Sequence, residues 1–284
     1  MPCSRSWARG FGELVKRLVK RLLDVADERR RLDERTSPVT KIALRSLFLE
    51  YRRLAELPSI WDTGFRIFSQ FDEDGILLFL LAAAGDGPRR VVDLGAGDGV
   101  HASNCASLLL NLGYDGLLVD ADAAKIEWAR RFYARHPDTK ERPPAIEQAF
   151  LTRENVDEIV RGAGFDGEVD LLSIDVDGND YWLWDALECV RPRFVLMEVH
   201  PEHGLEDYAM PYDPGFVWSS AAPGTRHGAS PVAMTRLAER RGYRLVGSNL
   251  YGFNVFFARE DVAPGVPGVG AEELVSRTSP RFSR

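Results

Sequence analysis

Cysteine is scarce in this chain of 284 residues. Cys3, Cys105 and Cys189 stand at no spacing that metal ligation uses, which excludes a cysteine zinc site and a disulfide-stapled secreted domain. Also missing is any apolar run of the roughly 18 residues that spans a bilayer, and so is the apolar stretch of a secretory signal. The expectation is a cytoplasmic protein. Positive charge is in deficit, with 36 Lys and Arg against 43 Asp and Glu, and the deficit is uneven. Residues 1–60 carry 14 basic against 8 acidic side chains, and the remainder carries 22 against 35. An acidic bulk excludes charge-driven binding of DNA, whereas the basic opening can touch something anionic. What is present is ordinary: 45% hydrophobic and 28% charged residues, enough for a sizeable core in one or two domains.

Residues 11–32 place Phe11, Leu14, Val15, Leu18, Leu22 and Val25 at helical spacing, with Lys16, Arg17, Lys20 and Arg21 on the other face. Such a basic amphipathic helix packs on its own domain, on a second copy as a homo-oligomer, or peripherally on an anionic membrane. A second helix is expected over 39–56, with Ser37 as cap and Pro38 in the first turn. From residue 66 apolar runs alternate with helical segments, the signature of βαβ units. Strands are expected at about 89–95, 114–120, 145–150, 170–175 and 193–199. The ending differs, because YRLVGSN and NVFFARE are separated only by the turn at LYGF and must pair as an antiparallel hairpin. The fold class is therefore α/β, a Rossmann-like parallel sheet closed by a C-terminal antiparallel hairpin. Residues 1–57 form a helical extension, 58–260 the sheet domain and 261–284 a flexible tail. The long connection 200–229, rich in Pro, Gly and aromatics, reads as a functional loop or lid.

At the first strand-to-helix junction stands VVDLGAGDGV, Val91 to Val100. Gly95, Gly97 and Gly99, with Ala96 and Asp98 between them, allow a sharp turn and close approach of a ligand to a helix N-terminus. A dinucleotide-binding loop would place a further glycine at position 100, where this chain has Val100. Asp120 closes the second strand, where a carboxylate accepts both ribose hydroxyls of a nucleoside cofactor. Ala121 follows it, and Asp122 either shares that task or caps the next helix. Asp93 precedes the turn, as an acidic residue does in class I methyltransferases, where it reaches the amino-acid end of the cofactor. Ala149 and Phe150 end the third strand, where such folds hold an adenine. Together these residues point to S-adenosylmethionine. Upstream, in FSQFDEDG, Gln70 and Asp74 can reach the cofactor from beneath, with Asp72 as the alternative helix cap.

The fourth strand runs into SIDVDGNDYWLWDAL, and the fifth ends in MEVHP. Asp175 and Ser173 share one strand face, as do Glu198 and His200. A base for a hydroxyl acceptor is His200, Asp177 or Asp175, with Glu198 adjacent. Alternatively Asp175, Asp177, Asn179 and Glu198 are hard oxygen ligands for Mg²⁺ or Ca²⁺. The bland alternative is that Asp177-Gly178-Asn179 is a turn chosen for local hydrogen bonds. His203, His227, Tyr208, Tyr212 and Trp218 of the long connection either stack on a sugar ring or pin the loop.

FSQFDEDGIL, VVDLGAGDGVHASN, GLLVDAD, LLSIDVDGNDYWLWDAL, MEVHP and HGASPVAMTRLAERRGYRLVGSNLYGFNVFFAR together resemble the FkbM-type branch of class I methyltransferases, over about residues 66–260. The resemblance implies an S-adenosylmethionine-dependent O-methyltransferase of glycan or natural-product tailoring, acting on a carbohydrate or glycosylated small molecule. It implies cofactor contacts at Gly95, Gly97 and Asp120, and an acceptor at Asp175. Many relatives carry Val-Glu-Gly after the single aspartate of the fourth strand, where this chain has Val176-Asp177-Gly178. An RNA ribose methyltransferase and a non-catalytic module of the same fold are the alternatives; the Asn/Asp-Pro-Pro-aromatic turn of amino-methylating enzymes is absent.

Overall fold

The computed structural model describes residues 36–218, 221–222 and 224–282. Every element named below belongs to one compact unit that begins at Pro38. The basic helix expected over 11–32 lies outside the described residues. Helix α1, Pro38–Tyr51, stops short of the expected residue 56. It buries Leu44, and the Tyr51 ring meets Phe79 edge-on at 5.3 Å between centroids. The sheet-bearing unit thus begins at Pro38 rather than at residue 58, because α1 packs on helix α2, Glu73–Ala84. Apolar almost all round, α2 is buried along nearly its whole length, as a helix without a polar face must be.

Seven strands follow in the order β3-β2-β1-β4-β5-β7-β6. They are β1 Arg90–Leu94, β2 Asp115–Asp120, β3 Ala145–Gln148, β4 Gly167–Ile174, β5 Val190–Glu198, β6 Tyr243–Ser248 and β7 Asn254–Arg259. The first five pair in parallel, and β7 slots between β5 and β6, antiparallel to both. This is the expected Rossmann-like sheet, closed by a C-terminal antiparallel hairpin. Helices α3 Ala106–Leu112, α4 Ala123–Arg135, α5 Val156–Gly162, α6 Asp180–Ala186 and α7 Pro231–Arg240 cover it. The strands alternate by their period of two. Val92, Leu94, Leu172, Ile174, Val195 and Met197 face a cluster containing Trp184, Met234 and Leu237, while Val91, Asp93, Leu171 and Ser173 are buried on the opposite face. Among the described residues no helix is long and apolar enough to cross a membrane.

The expected flexible tail is corrected by the structure. After β7 the chain is held by Arg244, whose guanidinium donates to the carbonyls of Arg259, Val262, Ala263 and Val266 at 2.8–3.1 Å. Helix α8, Ala271–Phe282, follows, and Leu274 is fully buried in the main core cluster. One guanidinium satisfies four carbonyls, which a pattern of apolar residues does not announce. Replacing Leu274 by Ala is expected to cost about 2–5 kcal/mol in urea unfolding. A loosely attached tail would instead give under about 0.5 kcal/mol.

Candidate active site

The turn after β1 lies at the C-terminal edge of the parallel sheet, where ligands of such folds bind. The Gly95 and Ala96 amides donate to the Val119 carbonyl of β2 at 2.9 and 3.0 Å. A Cβ on Gly95 would lie 1.7 Å from the Asp175 carbonyl oxygen, so no side chain fits there. Gly97 has φ +60, and a Cβ on it would meet nothing within 4 Å. Its amide donates to Asp120 Oδ2 at 2.8 Å, and Asp120 Oδ1 accepts from the Asp122 amide at 2.8 Å. One carboxylate therefore ties the end of β2 to the glycine turn. Asp122 is the cap of α4, accepting from the Ala124 and Lys125 amides.

Several acids expected to meet a cofactor are engaged elsewhere. Asp93 is 3% exposed and does not line the cavity described below. It faces Ser173 across the β1–β4 ladder and accepts from Ser173 and Cys105. Burial pushes its carboxyl up to about 6, those hydrogen bonds restraining the rise. Asp98 folds back to accept from the Val100 and His101 amides and meets the His101 ring at 2.7 Å, so it is a turn residue. Asp74 accepts from the Ile67, Phe68 and Ser69 amides and from the Ser69 hydroxyl, all on Oδ2 at 2.7–2.9 Å. It shapes the loop that carries Gln70 to the cavity and does not itself reach it. Asp72 makes no side-chain cap, because its Oδ1 accepts from the Leu250 amide at 2.9 Å.

On the reaction side, the Asp175 amide donates to the Leu94 carbonyl at 2.9 Å, so β4 and β1 end side by side. The following turn is held by Asp180, which is buried and accepts from the Val176 and Gly178 amides at 2.8 and 2.9 Å. Within that turn Asp177 takes φ +55, a region a non-glycine residue rarely enters. Asp175, Asp177 and Glu198 each present an oxygen, the three lying within 4.8 Å of one another. Burial, and then the neighbouring Asp180 and Asp177, push Asp175 well above the usual carboxylate range. Burial, then the Asp175 and Asp180 charges, raise Glu198 in the same way. Groups displaced like this in a cleft mark candidate functional sites.

His200 is not at the cavity. Its Nδ1 meets Glu202 Oε1 at 2.8 Å, and its Nε2 lies 3.8 Å from Glu198 Oε2. The proposed base therefore sits behind Glu198, since the chain leaves β5 at that residue. The long connection is pinned to α6: Trp182 Nε1 donates to the Met210 carbonyl at 2.7 Å, and Asn179 Nδ2 to the Asp213 carbonyl at 2.8 Å. Tyr212 bonds Glu154, Tyr208 lies under the Arg226 guanidinium, His203 bonds the His227 carbonyl, and Trp218 stacks on His227 at 3.7 Å. These five side chains pin the loop and do not line the cavity.

The two sides enclose one cavity of about 470 Å³. Of the residues singled out from the sequence, Gln70, Gly95, Ala96, Gly97, Asp120 and Ala121 line it on the side of the glycine turn. Asp175, Asp177, Asn179 and Glu198 line the other, with Phe150 at a mouth where it is 44% exposed. Phe150 lies in the loop after β3, which ends at Gln148. His101, Ala102, Lys125, Leu151 and Phe216 were not anticipated. Phe216 had a signal, being an aromatic of the long connection; its ring packs on Gly178, where a Cβ would lie 2.5 Å from it. Ala102, at φ +55, had none.

No protein-family model matches the chain, and no curated protein matches it. Solved structures similar to it include an O-methyltransferase family protein from Burkholderia thailandensis, at 14% identity and TM-score 0.37, covering 76% of this chain and 55% of that one. An O-methyltransferase from Bacillus cereus in complex with SAH has 13% identity and TM-score 0.35, covering 58% of this chain and 67% of that one. PKMT2 from Rickettsia typhi in complex with AdoHcy has 10% identity and TM-score 0.40, covering 76% and 52%. The chain thus spans about half the length of the first and third.

The two glycines of the turn are expected to respond differently to alanine. Gly97→Ala should cost about 1–2 kcal/mol, the left-handed backbone penalty alone. Gly95→Ala should cost about 3 kcal/mol or more, since the Asp175 main chain must move. Urea unfolding midpoints check this, and equal losses would contradict the geometry.

Proposed function

We propose that this chain is an S-adenosylmethionine-dependent O-methyltransferase of the FkbM type, acting on a hydroxyl of a carbohydrate or glycosylated small molecule. One observation carries the reading: a single cavity is bounded by the glycine turn with Asp120 on one side and by Asp175, Asp177 and Glu198 on the other. The residues present fit the cofactor. Gly97 is open to the cavity, Asp120 offers its carboxylate at the end of β2, and Ala149, Phe150 and Leu151 supply an apolar slot of adenine character. When bound, the cofactor supplies an electrophilic methyl on a sulfonium centre.

The chain's own residues do the rest by position. Backbone at Gly95–Gly97 would hold the amino-acid end, and Asp120 the ribose. The Asp175 and Asp177 carboxylates would accept hydrogen bonds from acceptor hydroxyls, and Asp175 or Glu198, when ionised, would receive the proton that the acceptor hydroxyl gives up. A carboxylate whose ionisation is disfavoured by its surroundings is a stronger base than a solvated one. Phe216 offers an apolar face beside these carboxylates, and sugar rings present that combination of vicinal hydroxyls and apolar C–H surface.

Calorimetric titration with S-adenosylhomocysteine tests the cofactor half. The wild-type chain is expected to bind at one site, and Asp120→Ala about 10- to 100-fold more weakly, as loss of a charge-assisted hydrogen bond implies. No binding by the wild type, or equal binding by the variant, would overturn the reading.

A further inference from the structure

We propose that Asp175, Asp177 and Glu198, with the amide oxygen of Asn179, form a binding site for one hard divalent cation of the Mg²⁺, Mn²⁺ or Ca²⁺ kind. Three carboxylate oxygens within 4.8 Å of one another repel strongly in a half-buried cleft. Among the described residues no Lys or Arg pairs with any of them within 4.0 Å; the His200 ring lies 3.8 Å from Glu198.

Independent of that cluster are the polar atoms left without partners around it. Asn179 is 5% exposed and lines the same cavity. Its Nδ2 is committed to the Asp213 carbonyl, which fixes the amide and leaves Oδ1 with no hydrogen-bond partner. Glu198 Oε2 is buried and equally without one. Behind it His200, 9% exposed and anchored at Nδ1 by Glu202, turns a partnerless Nε2 toward that same oxygen. Glu198 Oε2 and His200 Nε2 face each other, whereas Asn179 Oδ1, on a residue lining the same cavity as the three carboxylates, is a buried acceptor with nothing to pair it, and in native proteins such a group marks a missing ligand. The four donors are all oxygens, without thiolate, which suits a hard cation rather than zinc or copper. Asp180, held by two turn amides, sets the turn but offers no ligand. That a bound ion would also receive the acceptor hydroxyl and favour loss of its proton rests on the methyl-transfer reading; the binding itself does not.

The test uses the full chain after treatment with chelator, titrated with Mn²⁺ and read by the electron paramagnetic resonance signal of the free ion, with Mg²⁺ and Ca²⁺ as competitors. One saturable site per chain is expected, weakened at least tenfold in Glu198→Gln and in Asp177→Asn and unchanged in Asp157→Asn, a carboxylate of α5 outside the cluster. Thermal unfolding distinguishes a structural role. Without metal, Glu198→Gln should melt no lower than the wild type, because like charges are relieved, whereas added Mn²⁺ should raise the midpoint of the wild type alone. Absence of a saturable site, or Mn²⁺ affinity in both cluster variants equal to that of the wild type, overturns the proposal. S-adenosylhomocysteine titrated in the presence of chelator should bind as before, so failure of the cation site and failure of the cofactor reading show separately.

Discussion

Gly95 passes the main chain of Asp175 so closely that even a methyl group there would collide with the carbonyl. The rest of the site depends on that approach. It allows β1 and β4 to end in register, with Leu94 accepting from the Asp175 amide, so that the glycine turn and the acidic turn open into one cavity. Had the side chain at position 95 been larger, the two turns would splay and Asp120, at the end of β2, would no longer share a cavity with Asp175. A steric constraint of one atom thus joins the two halves of the proposed chemistry.

Carboxylates do two kinds of work around this edge. Asp74, Asp98, Asp122 and Asp180 spend their oxygens on backbone amides, fixing the loop before α2, the glycine turn, the cap of α4 and the turn after β4. Asp175, Asp177 and Glu198 are set free into the cavity by those same turns. The first group converts irregular backbone into rigid walls, since each amide it satisfies would otherwise need water. The second group can then be held near like charge without the turns relaxing. Phe216, packed on Gly178, closes the wall from the long connection.

Much of the architecture was legible in the sequence, because buried parallel strands read as apolar runs and a short turn between the last two leaves only a hairpin. The glycine turn and Asp120 were legible for the same local reason. What stayed hidden was the division of labour among acids. An aspartate beside a turn carries the same letter whether it caps, as Asp122 does, or faces a cavity, as Asp177 does, and only the backbone path separates them. His200 shares a strand-face periodicity with Glu198, yet the chain leaves the sheet at Glu198, so the periodic rule stops applying two residues too early. The segment after β7 looked loose because its hold is one arginine on four carbonyls, a contact with no sequence pattern.

The central claim is that one cavity brings a nucleoside cofactor and an acidic acceptor site together. A crystal structure of the chain with S-adenosylhomocysteine tests it most directly. The account predicts the ribose at Asp120, the adenine beside Phe150 and the sulfur turned toward the Asp175 and Glu198 carboxylates. Binding outside this cavity, or a sulfur turned away from those carboxylates, would contradict it.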